Sequence, residues 1–185
     1  LDDQSSKRRG LNPDYVVRIG YDEIEPVDVE VLRETLGYSD VAANAAYNLK
    51  EAYGSQHWLK KFLALSGKDV IELAGEINVP SSSLSTLHNR LSRLKRFDFM
   101  DQQGGHDSVG EILQYLNKGM HVVLEFGRYG SDLTAYILVA NLLTRRIRDR
   151  YEKMTEQALG DQTKSPRPLV ITIEEAHKFL NKDVA

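Results

Sequence analysis

The middle third of the chain carries apolar residues at helical spacing. Val27, Val31, Leu32 and Leu36 recur at intervals that place them on one face of a helix. Pro26 precedes them, at a position that suits the first turn of a helix. Further helical patterns follow, interrupted at Gly37, Gly54, Gly67 and Pro80. The alternation typical of a half-buried strand is absent, so we predict an all-α helical bundle over residues 26–103.

The two flanks show short apolar runs that alternate with helical stretches. Residues 121–126 (HVVLEF) and 169–173 (LVITI) are nearly continuous apolar runs, which are typical of strands covered on both faces of a parallel sheet. A long helix is predicted between them over residues 132–159, and a shorter one before them over Ser108–Asn117. Strand, long helix and strand in this order predict a βαβ unit. A further strand is expected at residues 14–20.

Three regions follow from this pattern. Residues 1–25 are expected to form a loop and a strand of an α/β core. Residues 26–103 are expected to be an all-α insertion, and residues 104–185 the rest of the core. Hydrophobic residues make up 41% of the 185 residues and charged residues 28%, a balance that allows a globular core.

Composition excludes several classes of protein. The net charge of −3 excludes a generally basic nucleic-acid binder, so any DNA contact is expected to come from local patches. The absence of cysteine excludes disulfides, thiolate zinc sites and cysteine nucleophiles. No apolar stretch approaches the roughly 20 residues needed to span a bilayer, and the first residues lack the features of a signal peptide. We expect a cytoplasmic protein with no membrane partner.

Two adjacent carboxylates follow the last predicted strand. Glu174 and Glu175 come directly after residues 169–173, and ligands of open α/β sheets bind beyond the carboxyl ends of strands. Nucleotide hydrolysis needs one acid to hold a magnesium ion and another to activate the attacking water. The alternative is that both glutamates only interact favourably with the dipole of a following helix.

The string LVITIEEAHKFLN resembles the Walker B segment of HerA-like ATPases, which are relatives of the FtsK translocases. The string HVVLEFGRYGS and the long helix after it occur in the order of that family. The resemblance implies a partial RecA-like P-loop ATPase core with an all-α insertion. It places Glu174 at the magnesium position and Glu175 at that of the catalytic base, although many P-loop ATPases have aspartate at the first place. His177 is expected either to sense the γ-phosphate or to be structural.

The same resemblance implies ATP and Mg²⁺ as cofactors, double-stranded DNA as substrate, a hexameric ring and a NurA-type nuclease as partner. A P-loop requires G-x-x-x-x-G-K-[ST], and Gly67-Lys68 is followed by Asp69 instead. In the family that loop precedes the position of Asp14. We therefore expect the 185-residue chain alone to hydrolyse ATP negligibly, as an internal piece of a longer enzyme.

Two groups of arginines have less specific patterns. Arg128 lies in a Gly-Arg-Tyr-Gly turn that could admit a phosphate, so it is a candidate contact to a nucleotide or a neighbouring subunit. The alternative is a simple connection between a strand and a helix. Four further arginines on the long helix are expected to form a solvated face; the alternatives are a DNA-binding groove or a face toward the next subunit of a ring. These four are Arg145, Arg146, Arg148 and Arg150.

Residues 69–97 support an alternative function. Their pattern resembles a helix-turn-helix, with a turn near Val79 and an apolar stripe on the second helix. Its polar and basic residues are of the kind that contacts phosphates and base edges; they are Ser85, His88, Arg90, Arg93, Lys95 and Arg96. In this alternative the chain is a DNA-binding regulatory module without enzymatic activity. A DEAH-box helicase is a further alternative, but that class does not place a helical insert upstream of the acidic segment.

Overall fold

Helices dominate the residues that the structure describes, which are 1–159 and 166–174 of a computed structural model. Within them the α-helices are α1 (Asp3–Arg8), α2 (Pro26–Val31), α3 (Arg33–Leu36), α4 (Asp40–Tyr53), α5 (Trp58–Ala64), α6 (Gly67–Glu76), α7 (Ser81–Leu91), α8 (Ser108–Asn117) and α9 (Leu133–Gln157). Tighter 3-10 turns occupy Tyr21–Glu23, Ser92–Arg96 and Gly127–Ser131. Strands β1 (Ile19–Gly20) and β2 (Met100–Asp101) pair in parallel, with Ile19 opposite Met100.

Side-chain caps fix the beginnings of the longer helices. Ser39 accepts a hydrogen bond from a backbone N–H of α4, and Ser66 forms a reciprocal capping box with Asp69 at α6. Asp107 and Asp132 accept hydrogen bonds from the first turns of α8 and α9. Each cap supplies a partner for an N–H group that the helix itself leaves unpaired. These local signals are why the helices begin where the apolar periodicity begins.

Helices α4 to α7 pack around a common apolar core, and α2 packs against α4. Trp58 is fully buried at the beginning of α5, and its indole Nε1 donates to the carbonyl oxygen of Ile24 at 2.9 Å. Three leucines of α7 turn inward and are also fully buried; they are Leu84, Leu87 and Leu91. The first 3-10 turn is therefore tied to the bundle by both apolar and polar contacts.

Helix α9 crosses the bundle and packs against α2, α3 and α8. Its inward face is apolar and buried, including Leu138, Val139 and Leu142. Helix α8 is observed at Ser108–Asn117 and α9 at Leu133–Gln157, which confirms both predicted helices to within two residues. No helix among the described residues is long and apolar enough to cross a membrane.

The predicted fold class is wrong. An α/β RecA-like core needs a parallel sheet, but the only paired strands among the described residues are β1 and β2, with two residues each. Residues 121–126 and 166–173 have no regular secondary structure, and only residues 19–20 of the predicted strand 14–20 are paired. Val123 is 90% exposed and Val170 is 84% exposed, whereas strands inside a covered sheet would bury both. An apolar run forms a strand only where a neighbour pairs with its backbone.

Candidate functional site

The acidic segment ends beside the first turns of helix α9. Glu174 lies in a turn and is exposed, so it does not stand at the tip of a buried strand as predicted. Its carbonyl oxygen accepts a hydrogen bond from the Tyr136 hydroxyl at 3.1 Å. The ring of Tyr136 also stacks on Phe126, with ring centroids 4.1 Å apart and planes 8° from parallel. We call Phe126, Tyr136 and Glu174 the Tyr136 junction, because the Tyr136 side chain contacts the end of one apolar segment, residues 121–126, and the residue directly after the other, residues 169–173.

Glu175 and His177 follow directly in the sequence but lie outside the described residues. Their predicted roles as catalytic base and as γ-phosphate sensor therefore stay predictions. Glu174 has the exposure that a ligand of a hydrated metal ion requires, because its carboxylate does not have to leave water to bind. Across residues 1–159 and 166–174, no three acidic, imidazole or thiol groups are arranged to hold a metal ion.

The turn at Gly127–Ser131 joins the Tyr136 junction to a cluster of aromatic rings. Gly127 has a φ of +57°, in the left-handed region that favours glycine. Tyr129 is buried and meets Phe97 and Phe99 edge to face, at centroid distances of 5.6 and 5.1 Å. These contacts fix the turn rigidly to the end of the helical bundle.

Arg128 is held by neighbours on three sides. Its guanidinium pairs with Asp98, donates to the Tyr129 hydroxyl at 2.8 Å and lies 3.6 Å from a carboxylate oxygen of Asp2. The hydrogen bond to Tyr129, followed by the negative charge of Asp98, raises the pKa of Arg128 above its usual range. About half of the side chain remains exposed. Arg128, the predicted contact to a nucleotide or a neighbouring subunit, is thus part of an ion-pair network next to the Tyr136 junction.

Helix α1 covers this turn from outside. The Asp2 carboxylate accepts a hydrogen bond from the backbone N–H of Arg128 at 3.4 Å. Glu125 accepts a hydrogen bond from the Ser6 hydroxyl at 2.6 Å and also pairs with Arg9. The Ser6 hydrogen bond, with the Arg9 charge, lowers the pKa of Glu125 below its usual range. Nothing in the polar N-terminal sequence indicated that it would reach a turn more than 100 residues away.

The arginines of α9 are ion-pair partners more than a solvated face, which corrects the prediction. Arg145 Nη2 donates to both carboxylate oxygens of Asp28 at 2.8 Å, and Asp28 is fully buried. Arg146 Nη1 donates to Glu23 at 2.9 Å, and Arg150 pairs with Asp107. Arg148 is the most exposed of the four, with 74% of its side chain exposed, and Arg150 follows with 43%.

Helices α6 and α7 form the predicted pair with a short turn between them. The turn covers residues 77–80, and Asn78 adopts a φ of +54°, in the left-handed region. The hydroxyl-rich first turn of α7 is largely exposed, including Ser81 and Ser82. The region therefore contains two packed helices joined by a short turn, as its pattern predicted.

Several of the predicted DNA-contacting residues are used by the fold instead. His88 meets Phe62 edge to face at 5.2 Å, and burial lowers its pKa. Lys95 Nζ donates to the carbonyl oxygen of Leu63 at 2.8 Å, and Arg96 pairs with Asp132 at 2.7 Å. Lys95 and Arg96 remain exposed on the turn after α7, but each is held by the group to which it bonds, and His88 is only partly exposed.

Comparisons of the chain with protein-family models, with curated proteins and with solved structures found no match.

Proposed function

We propose that this chain contributes the acidic part of the nucleotide site of an ATP-driven DNA translocase. In this proposal Glu174 binds the hydrated Mg²⁺ ion and Glu175 activates the attacking water. The Tyr136 junction is the observation that carries the proposal. It brings the end of the LVITI segment, with Glu174, to the same place as the turn that contains Arg128.

The chemistry requires that a metal-binding acid and a water-activating acid lie side by side near a bound phosphate. Glu174 and Glu175 are adjacent in the sequence, and the exposed position of Glu174 leaves room for a metal with its water shell. Arg128 is the nearest candidate on the described turn to interact with a phosphate or a second subunit. The phosphate-binding loop is absent from this sequence and has to come from other polypeptide.

The proposal does not depend on a RecA-like core within the described residues. It rests on the similarity of the acidic segment to HerA-like ATPases and on the junction. A hexameric ring, double-stranded DNA in its channel and a NurA-type nuclease partner belong to the proposal through that similarity alone.

The test uses the purified protein expressed from the full open reading frame that contains this sequence. We expect ATP hydrolysis that requires Mg²⁺ and is stimulated by duplex DNA. Glu175→Gln should lower turnover at least about 100-fold and leave ATP binding intact, because it removes the base and keeps the shape. Glu156→Gln, on an exposed position of α9, is the matched control and should retain full turnover. Full turnover in Glu175→Gln would refute the assignment.

A second candidate function is duplex-DNA binding by α6 and α7. The short turn at Asn78 and the exposed hydroxyls at the beginning of α7 favour it. Arg93 is exposed on the 3-10 turn that follows α7, and it is the basic residue best placed to contact a phosphate. If this function is correct, the 185-residue chain binds duplex DNA, and Arg93→Gln reduces the salt slope by about one. Lys68→Gln, an exposed substitution on α6, should leave that slope unchanged.

A further inference from the structure

We infer that the turn containing Arg128 is a binding site for a phosphate group, which the Asp2 carboxylate occupies in this structure. The carboxylate accepts the backbone N–H of Arg128 at 3.4 Å and lies 3.6 Å from the guanidinium Nε. The Asp2 side chain is 92% buried against the turn, since only 8% of it is exposed. A backbone N–H and a guanidinium that converge on one anion are the groups with which proteins bind phosphate.

The backbone conformation of the turn makes this contact possible. Gly127 adopts a φ of +57°, and a Cβ added there would lie 2.8 Å from the Cβ of Asp2. Glycine at this position therefore lets an anionic group approach the Arg128 N–H closely. A small cavity of about 80 Å³ adjoins the contact, lined by two cations, Arg18 and Arg128, and by three carboxylates, Asp2, Asp3 and Asp98, among others. That volume is enough to hold water beside the Asp2 carboxylate.

Helix α1, which carries Asp2 at its N-cap, is held by contacts that can be displaced. Its six residues, DQSSKR, include no apolar side chain. Its attachment to the turn consists of the Asp2 contacts and the bonds that Ser6 and Arg9 make to Glu125. Just before the helix, the Leu1 ammonium donates to the Glu125 carbonyl oxygen at 3.0 Å, and the Leu1 side chain packs partly buried against the core. Of these contacts the Arg9–Glu125 pair is exposed, and exposed ion pairs contribute little net stability and are screened by salt. A phosphate group, with more charge and more acceptor oxygens than one carboxylate, can compete for the Arg128 groups.

Competition from within the chain lowers the apparent affinity for an external anion. The apparent dissociation constant equals the intrinsic one divided by the fraction of molecules in which the site is open. Removing the Asp2 charge should therefore tighten phosphate binding without any new contact. This inference deepens the phosphate-contacting role of Arg128 in the proposed function, but its test requires neither magnesium nor hydrolysis, so either one can fail without the other.

The experiment measures pyrophosphate binding to the 185-residue chain by calorimetry at low salt without Mg²⁺. Asp2→Asn removes the charge but keeps a good helix cap. Asp149→Asn is the matched control, because Asp149 is exposed on α9 and does not line the cavity. We expect Asp2→Asn to bind pyrophosphate at least about fivefold more tightly than wild type. Asp149→Asn should bind as wild type does. Adding Arg128→Gln to Asp2→Asn should abolish the gain.

A second measurement does not depend on the Asp2 substitution. Pyrophosphate should increase hydrogen exchange of the α1 amides in the wild-type chain, because the ligand displaces the helix, and Arg128→Gln should remove this effect. Inorganic phosphate, Mg²⁺-free ATP and a short DNA duplex, titrated in parallel, show whether a free phosphate, a nucleotide or a nucleic acid is preferred. Equal affinities in Asp2→Asn and Asp149→Asn, together with α1 exchange that pyrophosphate leaves unchanged, would overturn the inference.

Discussion

The ion pair between Asp28 and Arg145 should be among the most important polar contacts of the fold. The Asp28 side chain is completely buried, and Arg145 donates to both of its carboxylate oxygens at 2.8 Å. Arg145→Met keeps the length of the side chain and removes the charge. The Asp28 carboxylate then retains two donors, the Asn141 amide at 3.1 Å and the backbone N–H of Glu25 at 2.8 Å.

The expected cost can be worked from these contacts. Breaking a buried ion pair by removing one partner costs about 3–5 kcal/mol, since the other charge stays buried. The cost of Arg145→Met should lie near the lower end of this range, because Asp28 keeps two donors and the Arg145 side chain is 27% exposed. We expect a loss of about 3 kcal/mol in the free energy of unfolding. For a chain of this size, that loss corresponds to a decrease in Tm of roughly 6–12 °C.

Urea denaturation followed by circular dichroism measures this loss. Arg148→Met is the matched control on the same helix, because Arg148 is 74% exposed and pairs with Glu152 one turn away. It should cost less than about 1 kcal/mol. In the Asp28→Asn background, Arg145→Met should lower the free energy of unfolding much less than it does alone, because no buried charge is then left without a partner. Equal losses in Arg145→Met and Arg148→Met would show that α9 has a solvated arginine face after all.

Three further predictions concern single positions. Gly104→Ala should lower the free energy of unfolding by about 2 kcal/mol, because the φ of Gly104 is +70° and the added methyl group would lie 2.3 Å from a carboxylate oxygen of Asp22. Gly75→Ala, in open space on α6, should instead raise it by roughly 0.5–1 kcal/mol in the same urea assay. Burial raises the folded-state pKa of Glu23 above 4.5. The free energy of unfolding of the wild type, relative to that of Glu23→Gln, should therefore fall as pH rises through and beyond 4.5. A Glu23 carboxyl that titrates below 4.5 by NMR would contradict this prediction. Tyr136→Phe keeps the ring stack but loses the bond to the Glu174 carbonyl oxygen, so the free energy of unfolding should change by less than about 1.5 kcal/mol. The NMR chemical shift of the Glu174 carbonyl carbon should move in this variant, and an unchanged shift would show that the bond is not made.

Helical parts of the fold were predictable because their signals are local. Pro26 stands at the first position of α2, and Ser108–Asn117 is the helix that periodicity predicted. Caps and apolar spacing lie within one or two turns, so a single sequence contains them. The predicted strands were wrong because a run such as residues 169–173 specifies apolar character but not a partner strand.

Long-range polar contacts escaped prediction for a related reason. The pairs of Arg145 with Asp28 and of Arg146 with Glu23 join residues 117 and 123 positions apart. Helical spacing of arginines cannot distinguish a solvated face from a face that meets buried acids. The acidic pair at Glu174 was recognised from its neighbours in sequence, whereas its contact with Tyr136 needed the packing of α9.

The central claim is that the acidic segment ends beside the turn that precedes α9. A spin label placed at the exposed Ser131, through Ser131→Cys, tests it directly, since the chain has no other cysteine. Paramagnetic broadening of the Glu174 amide is then measured by NMR against a diamagnetic label at the same site. We predict strong broadening of Glu174 and of the residues just before it. Sharp, unperturbed resonances across 169–174 would contradict the account, because the carboxylates would then lie away from the turn.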